Sequence, residues 1–225
     1  MRPRGLSTTQ FVIWWIVATI VAEGLAALSV LPLLGVTLPK VLLVAALEGI
    51  LVGTAQSVIL RRRPGGLDRI WLVPTVLGAI LGRTFEFESD VSSVAAAIVD
   101  WSLAAHWVIG MAVGAAVGSV LALPQAVAMR TRVRAAWRWV PMRAVAWGLA
   151  LPLLLVIGAV WSHAAPGSSP WFATALIFGL MLGLVGLIEG WGMARLTGAS
   201  VVETFSSSRH DCKLSSSEVD EPGRP

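Results

Sequence analysis

Residues 49–63 read GILVGTAQSVILRRR. The run is apolar apart from Thr54, Gln56 and Ser57, and it stops at three consecutive arginines. With the apolar residues that precede it, from about Val41, it reaches the roughly 20 residues that a helix needs to cross the hydrocarbon of a bilayer. Composition agrees. Hydrophobic residues make up 56% of the 225-residue chain and charged residues 13%, where a soluble domain carries about 25% charged. There are too few polar side chains to cover a water-exposed surface, so the outer surface is expected to be lipid.

Five further runs of similar length accompany this one. The expected spans are about Gln10–Leu31, Val41–Leu60, Ile70–Phe87, Trp101–Met129, Ala144–Trp161 and Phe172–Leu196. Their cations fix an orientation. Of 15 Arg and 2 Lys, all but Lys40 and Arg83 fall in the segments that share a side with the N-terminus. These are Arg2 and Arg4, the Arg61–Arg69 turn, the Arg130–Arg143 loop, and Arg195 with the tail. The positive-inside rule makes that side cytoplasmic, with both termini on it. An odd number of spans would scatter the arginines to both sides. The tryptophans suggest two headgroup belts: Trp14, Trp15, Trp71, Trp137, Trp139 and Trp191 near the inner ends, Trp101, Trp107, Trp161 and Trp171 near the outer ends. The basic start MRPRG could open a signal peptide. The apolar run behind it is about 20 residues, however, against the 7–15 of a signal core, and this favours a retained span. Residues 1–9 form a cytoplasmic N-terminus and residues 10–196 the membrane domain. The Ser-rich segment 197–225 has no apolar period and is expected to be a disordered cytoplasmic tail. Poor Lys with rich Ala, Val, Gly and Arg suggests a bacterial source.

The opening stretch has counterparts. Gly49, Gln56 and Arg61 are spaced by seven and five residues, as are Gly118, Gln125 and Arg130. Gly183, Gly190 and Arg195 keep both spacings, with Gly in place of Gln. The helices between them show a fainter echo: Trp15, Trp71 and Trp139 are followed four residues on by Thr19, Thr75 and Arg143. The fold expected is therefore all-α, an integral membrane bundle of six transmembrane helices built as three helical hairpin repeats. Parallel repeats imply a pseudo-threefold axis along the membrane normal. Gly49 with Gly53, Gly114 with Gly118, and the stripe Gly179, Gly183, Gly186, Gly190 let backbones approach closely, where packing replaces the hydrophobic effect. Gln56 and Gln125 lie about 7.5 Å above their arginines, inside the inner leaflet. There they either hydrogen-bond across helices or line a wet cavity.

The pattern G-x-x-x-G-x-x-Q-x-x-x-L-R…W resembles that of a group of uncharacterised bacterial polytopic membrane proteins. The resemblance covers residues 15–195 and is best over 49–82, at Gly49, Gly53, Gln56, Leu60, Arg61, Trp71, Thr75, Gly78 and Gly82. The later copies depart from it, with Ala122 at the second Gly and Gly190 at the Gln. It implies a membrane location and a hairpin fold and carries no active site.

Ionisable groups within a bilayer are costly and are functional suspects. Glu48 lies about 19 Å above Arg61, Arg83 about 18 Å above Trp71, and Glu23 about 12 Å above Trp15. An intramembrane polar cluster of Glu23, Glu48 and Arg83 is expected, extended by Glu189 or His106. The plainer alternatives are a helix-locking Glu48–Arg83 pair, or Arg83 turned to Glu86 at the surface. Asp100 and His106 are six apart and off a common helix face, which argues against a metal pair. The single cysteine, Cys212, excludes an intramolecular disulfide and a cysteine metal cage. The tail run from Arg209 to Lys213 has ligand types but no second cluster. There is no H-E-x-x-H, G-x-S-x-G or P-loop. Neither an enzyme nor any cofactor or metal is expected. Nucleic acid is not expected either, because the arginines punctuate apolar runs instead of forming a basic face. The partners expected are the lipid bilayer and a second copy or another membrane subunit. Two readings of function follow. The first is a non-catalytic scaffold, regulatory or lipid-interacting subunit. The second is a small transporter or channel using the Glu/Arg cluster.

Overall fold

The computed structural model describes residues 6–30, 37–63, 67–88, 103–154, 156–157 and 171–215. All secondary structure among them is helical. In chain order the helices are α1 (Thr8–Val30), α2 (Leu38–Leu60), α3 (Asp68–Glu88), α4 (Leu103–Met129), α5 (Trp139–Ala150) and α6 (Trp171–Ser215), with a 3-10 turn at Ala136–Arg138 leading into α5. Local signals account for several ends. Ser7 and Gln10 form a reciprocal capping box at the start of α1: the Gln10 N–H donates to Ser7 Oγ at 3.2 Å and the Ser7 N–H to Gln10 Oε1 at 3.1 Å. Pro39 stands in the first turn of α2, where no N–H is needed. Pro74 and Pro124 lie inside α3 and α4, a placement that membrane helices tolerate because their neighbours satisfy the freed backbone.

Each helix packs on its chain neighbours and α6 returns to α1, so the six close into a ring. The most extensive packing joins α2 to α3, α4 to α5 and α6 to α1. Glycines set the closest approaches. A Cβ at Gly49 would come within 2.6 Å of Val76 Cα, and one at Gly118 would fall on the Arg143 carbonyl oxygen. One at Gly186 would lie 3.0 Å from Ile16 Cα. The three interfaces thus repeat one device, a glycine of an even-numbered helix against the backbone of the next odd-numbered one.

The outer face of the ring is apolar. Val73, Leu77 and Leu81 on α3, Val145 and Leu149 on α5, and Leu43, Leu47 and Ile50 on α2 are all exposed. Polar residues turn inward instead: Thr19, Glu48, Gln56, Thr75, Gln125, Arg143 and Glu189 are buried. This apolar-out, polar-in arrangement suits a lipid surround.

Four helical stretches among the described residues are long and apolar enough to cross a membrane: Thr8–Ala26, Leu38–Leu60, Trp107–Met129 and Trp171–Gly198. α3 and α5 are not in that set, although six spans were expected. Asp68, Arg69, Arg83, Glu86 and Glu88 lower the hydropathy of α3, and α5 is only 12 residues long. The α6 backbone stays helical from Thr197 to Ser215, a stretch in which only Gly198 favours a break and no proline occurs. Residues 216–225 lie outside the described residues.

If close approach at Gly118 holds α4 on α5, Gly118→Leu lowers the thermal unfolding midpoint of the purified protein, with a cost of at least about 1–3 kcal/mol. Gly179→Leu, where a Cβ meets nothing within 4 Å, leaves the midpoint unchanged. Equal effects of the two substitutions would contradict this packing.

Candidate functional site

The interior of the ring is built in layers from the three odd-numbered helices. The first layer is Trp15 of α1, Trp71 of α3 and Trp139 of α5, at 0%, 1% and 0% exposure. Trp15 and Trp71 meet edge to face with centroids 5.9 Å apart at 69°, and Trp71 and Trp139 repeat this at 5.8 Å and 68°. Both geometries fall within the favourable range for aromatic pairs. Phe11 extends the stack beneath Trp15. These three tryptophans were expected in a headgroup belt and are instead the central core. Trp14, Trp137 and Trp191 are about half exposed, as a belt requires.

For Trp71 and Trp139 the reason lies in the glutamines. The Trp71 indole N–H donates to Gln56 Oε1 at 2.9 Å, and the Trp139 indole N–H to Gln125 Oε1 at 2.7 Å. An indole with an acceptor inside the bundle does not need headgroup water. Gln56 and Gln125 are 2% and 1% exposed, so these two amides sit in buried interhelical packing. At the α6–α1 interface, Gly190 stands at the corresponding position. A Cβ there would touch Trp15 Cβ, Cγ and Cδ1 at 3.0–3.2 Å, so α1 packs directly on the α6 backbone. Among the described residues, Trp15 Nε1 and Thr19 Oγ1 have no hydrogen-bond partner.

The second layer lies four residues on. The Thr75 hydroxyl donates to the Trp71 carbonyl at 2.7 Å and accepts from the Gln125 amide at 2.9 Å. Arg143 donates from Nη1 to Gln125 Oε1 at 3.0 Å and from Nε to Glu189 Oε1 at 2.6 Å. Gln125 therefore ties α4 to both α3 and α5, and Arg143 passes the link to α6. Both members of the Arg143–Glu189 pair are buried, at 8% and 1% side-chain exposure. Arg143 had been counted among the cytoplasmic cations. Its place four residues after a core tryptophan, matching Thr19 and Thr75, is the sequence signal for its true position.

The third layer lies eight residues on, at Glu23, Ala79 and Trp147. With Glu48, Thr75, Arg143 and neighbouring apolar residues they surround a cavity of about 20 Å³, room for one water molecule. Glu48 is buried and accepts from Arg83 Nη2 at 2.8 Å and Nε at 3.0 Å on one carboxylate oxygen. Arg83 keeps 41% of its side chain exposed. Glu23 and Glu48 thus share the cavity, Arg83 reaches it through Glu48, and Glu189 borders it through Arg143. The helix carrying His106 is described but its side chain is not, and the same holds for Glu86. Asp100 lies outside the described residues.

At the arginine-rich end, Arg63 covers Phe11, with its guanidinium carbon 4.7 Å from the ring centroid. Burial lowers the Arg63 pKa from the usual arginine value, though arginine stays charged. Arg195 stacks on Trp191 at 3.6 Å on the rim. The Arg61–Asp68 contact, 3.7 Å with Arg61 mostly exposed, adds little.

Arg143→Met leaves the Glu189 carboxylate buried without its cation. The expected loss of unfolding free energy is about 3–5 kcal/mol. The double change Arg143→Met with Glu189→Leu restores most of it; a double variant as unstable as the single would contradict the pairing. Comparison with protein-family models, with curated proteins and with solved structures finds no match to this chain.

Proposed function

We propose that the protein is a non-catalytic polytopic membrane protein, a six-span bundle of three helical hairpins in a bacterial cytoplasmic membrane. It serves there as a scaffold, regulatory or lipid-interacting subunit. The observation that carries this reading is the closed axis. Trp15, Trp71 and Trp139 stack across it, Gln56 and Gln125 pin two of them, and the cavity above holds about 20 Å³. Nothing larger than a water or a small ion fits inside, and a solute carrier needs more room than that.

Six spans are supported by the apolar stripes that α3 and α5 turn outward, in line with those of the four more apolar helices. Three hairpins are supported by the matched tryptophan geometries, the two Trp–Gln bonds and the glycine contact recurring at the α2–α3, α4–α5 and α6–α1 interfaces. Cytoplasmic termini rest on the arginines, and the lipid face leaves room for a second copy or another membrane subunit. A second reading, a small channel or transporter for protons or inorganic cations, is favoured by one observation: two carboxylates, Glu23 and Glu48, face a common cavity.

Two measurements test these readings. In a Cys212→Ser background, single cysteines at Arg62 and Arg132 label from the cytoplasmic side and one at Thr37 from the opposite side; labelling of Thr37 and Arg62 from one side would contradict the topology. In proteoliposomes, proton, sodium and potassium flux stays at the level of empty vesicles. A flux abolished by Glu48→Gln would replace the first reading with the second.

A further inference from the structure

Five ionisable side chains are linked around the cavity: Glu23 on α1, Glu48 on α2 and Arg143 on α5 line it, Arg83 on α3 joins through Glu48, and Glu189 on α6 through Arg143. α4 meets them with the neutral Gln125. Arg83 is paired with Glu48 and Arg143 with Glu189. Glu23 remains. Among the described residues it makes neither a hydrogen bond nor an ion pair, yet it lines the cavity beside Glu48 and Arg143. The Trp147 indole N–H, buried and without a partner among the described residues, belongs to the same cavity wall.

Glu23 is partly buried, and a carboxylate partly withdrawn from water with no ion-pair partner is costly, more so at bilayer depth. A carboxyl group with no fixed partner takes a mobile one. Three carboxylates against two guanidiniums leave one charge to neutralise, and the cavity, about 20 Å³, accepts one water-sized species. We propose that the cavity between Glu23, Glu48 and Arg143 is a binding site for a single exchangeable monovalent cation, a proton or an alkali metal ion, held on the Glu23 carboxyl. The guanidinium of Arg143 in the cavity wall sets the limit at one charge and works against divalent ions. The unpartnered Trp147 N–H supplies a donor to the carboxyl oxygen or to the ion's water. Binding here does not require conduction, because the tryptophan layer closes the axis below.

The inference rests on the bundle lying in a membrane. The cysteine-labelling experiment tests that placement and the following one tests the carboxyl, so the two fail separately. The full-length protein in lipid nanodiscs is examined by infrared difference spectroscopy in two arms. One changes pH with choline as the only other cation, and the other replaces choline by sodium at fixed pH. The double difference between wild type and Glu23→Gln is expected to contain a carboxyl band in one arm. A band in the pH arm assigns a proton, and one in the sodium arm assigns a metal ion. If Glu23→Gln does not fold, wild type against Glu23→Asp serves in its place, with a displaced band expected. A double difference without a carboxyl band in either arm overturns the proposal.

Discussion

The indole N–H of Trp139 and the amide oxygen of Gln125 meet at 2.7 Å inside a ring of helices whose outer surface is apolar. In such a place little water is at hand to take over a lost partner, so a polar group answered from within the bundle is favoured over one left alone. Gln125 answers three at once: it accepts from Trp139 and Arg143 and donates to Thr75. Remove it and α3, α4 and α5 lose their shared polar contact, and Arg143 keeps Glu189 and the face of Trp139. Much of the interior order descends from this one side chain. The Gln56–Trp71 bond repeats half of it one joint earlier in the ring.

The glycines make these bonds reachable. Backbones must come close for a Gln on one helix to touch a Trp on the next, and Gly49, Gly118 and Gly186 sit where a Cβ would press on the neighbouring chain. At the α6–α1 joint the same logic is taken further. Gly190 removes the amide altogether, so Trp15 lies on bare backbone with its N–H unanswered among the described residues. That joint has close packing without the hydrogen bond. It is also the joint not tied by a connecting segment.

Much of this was legible in the sequence. The depth match of Glu48 and Arg83 anticipated a pair, and the two atoms lie 2.8 Å apart. The Gly–Gln–Arg spacing singled out Gln56 and Gln125 as groups that bond across helices or line a wet cavity; the indole N–H groups they meet belong to other helices. Trp71 and Trp139 were misread for the same reason, while Trp15 is buried by close packing on α6 with no acceptor. The preference of tryptophan for the headgroup region is an average, and it yields wherever the bundle offers an acceptor. Arg143 was misread because a cation near a helix end usually stays with water, whereas here Glu189, 46 residues along the chain, draws it inside.

The central claim is that Trp71 and Trp139 are dry, hydrogen-bonded core residues and not interfacial anchors. Hydrogen exchange of the tryptophan indole N–H groups, read by nuclear magnetic resonance in nanodiscs, tests it most directly. The account predicts slow exchange at Trp71 and Trp139 and fast exchange at Trp14, Trp137 and Trp191. Gln56→Leu should shift the resonance of Trp71 and Gln125→Leu that of Trp139. Exchange at Trp71 and Trp139 as fast as at Trp14, with no response to either glutamine change, would contradict it.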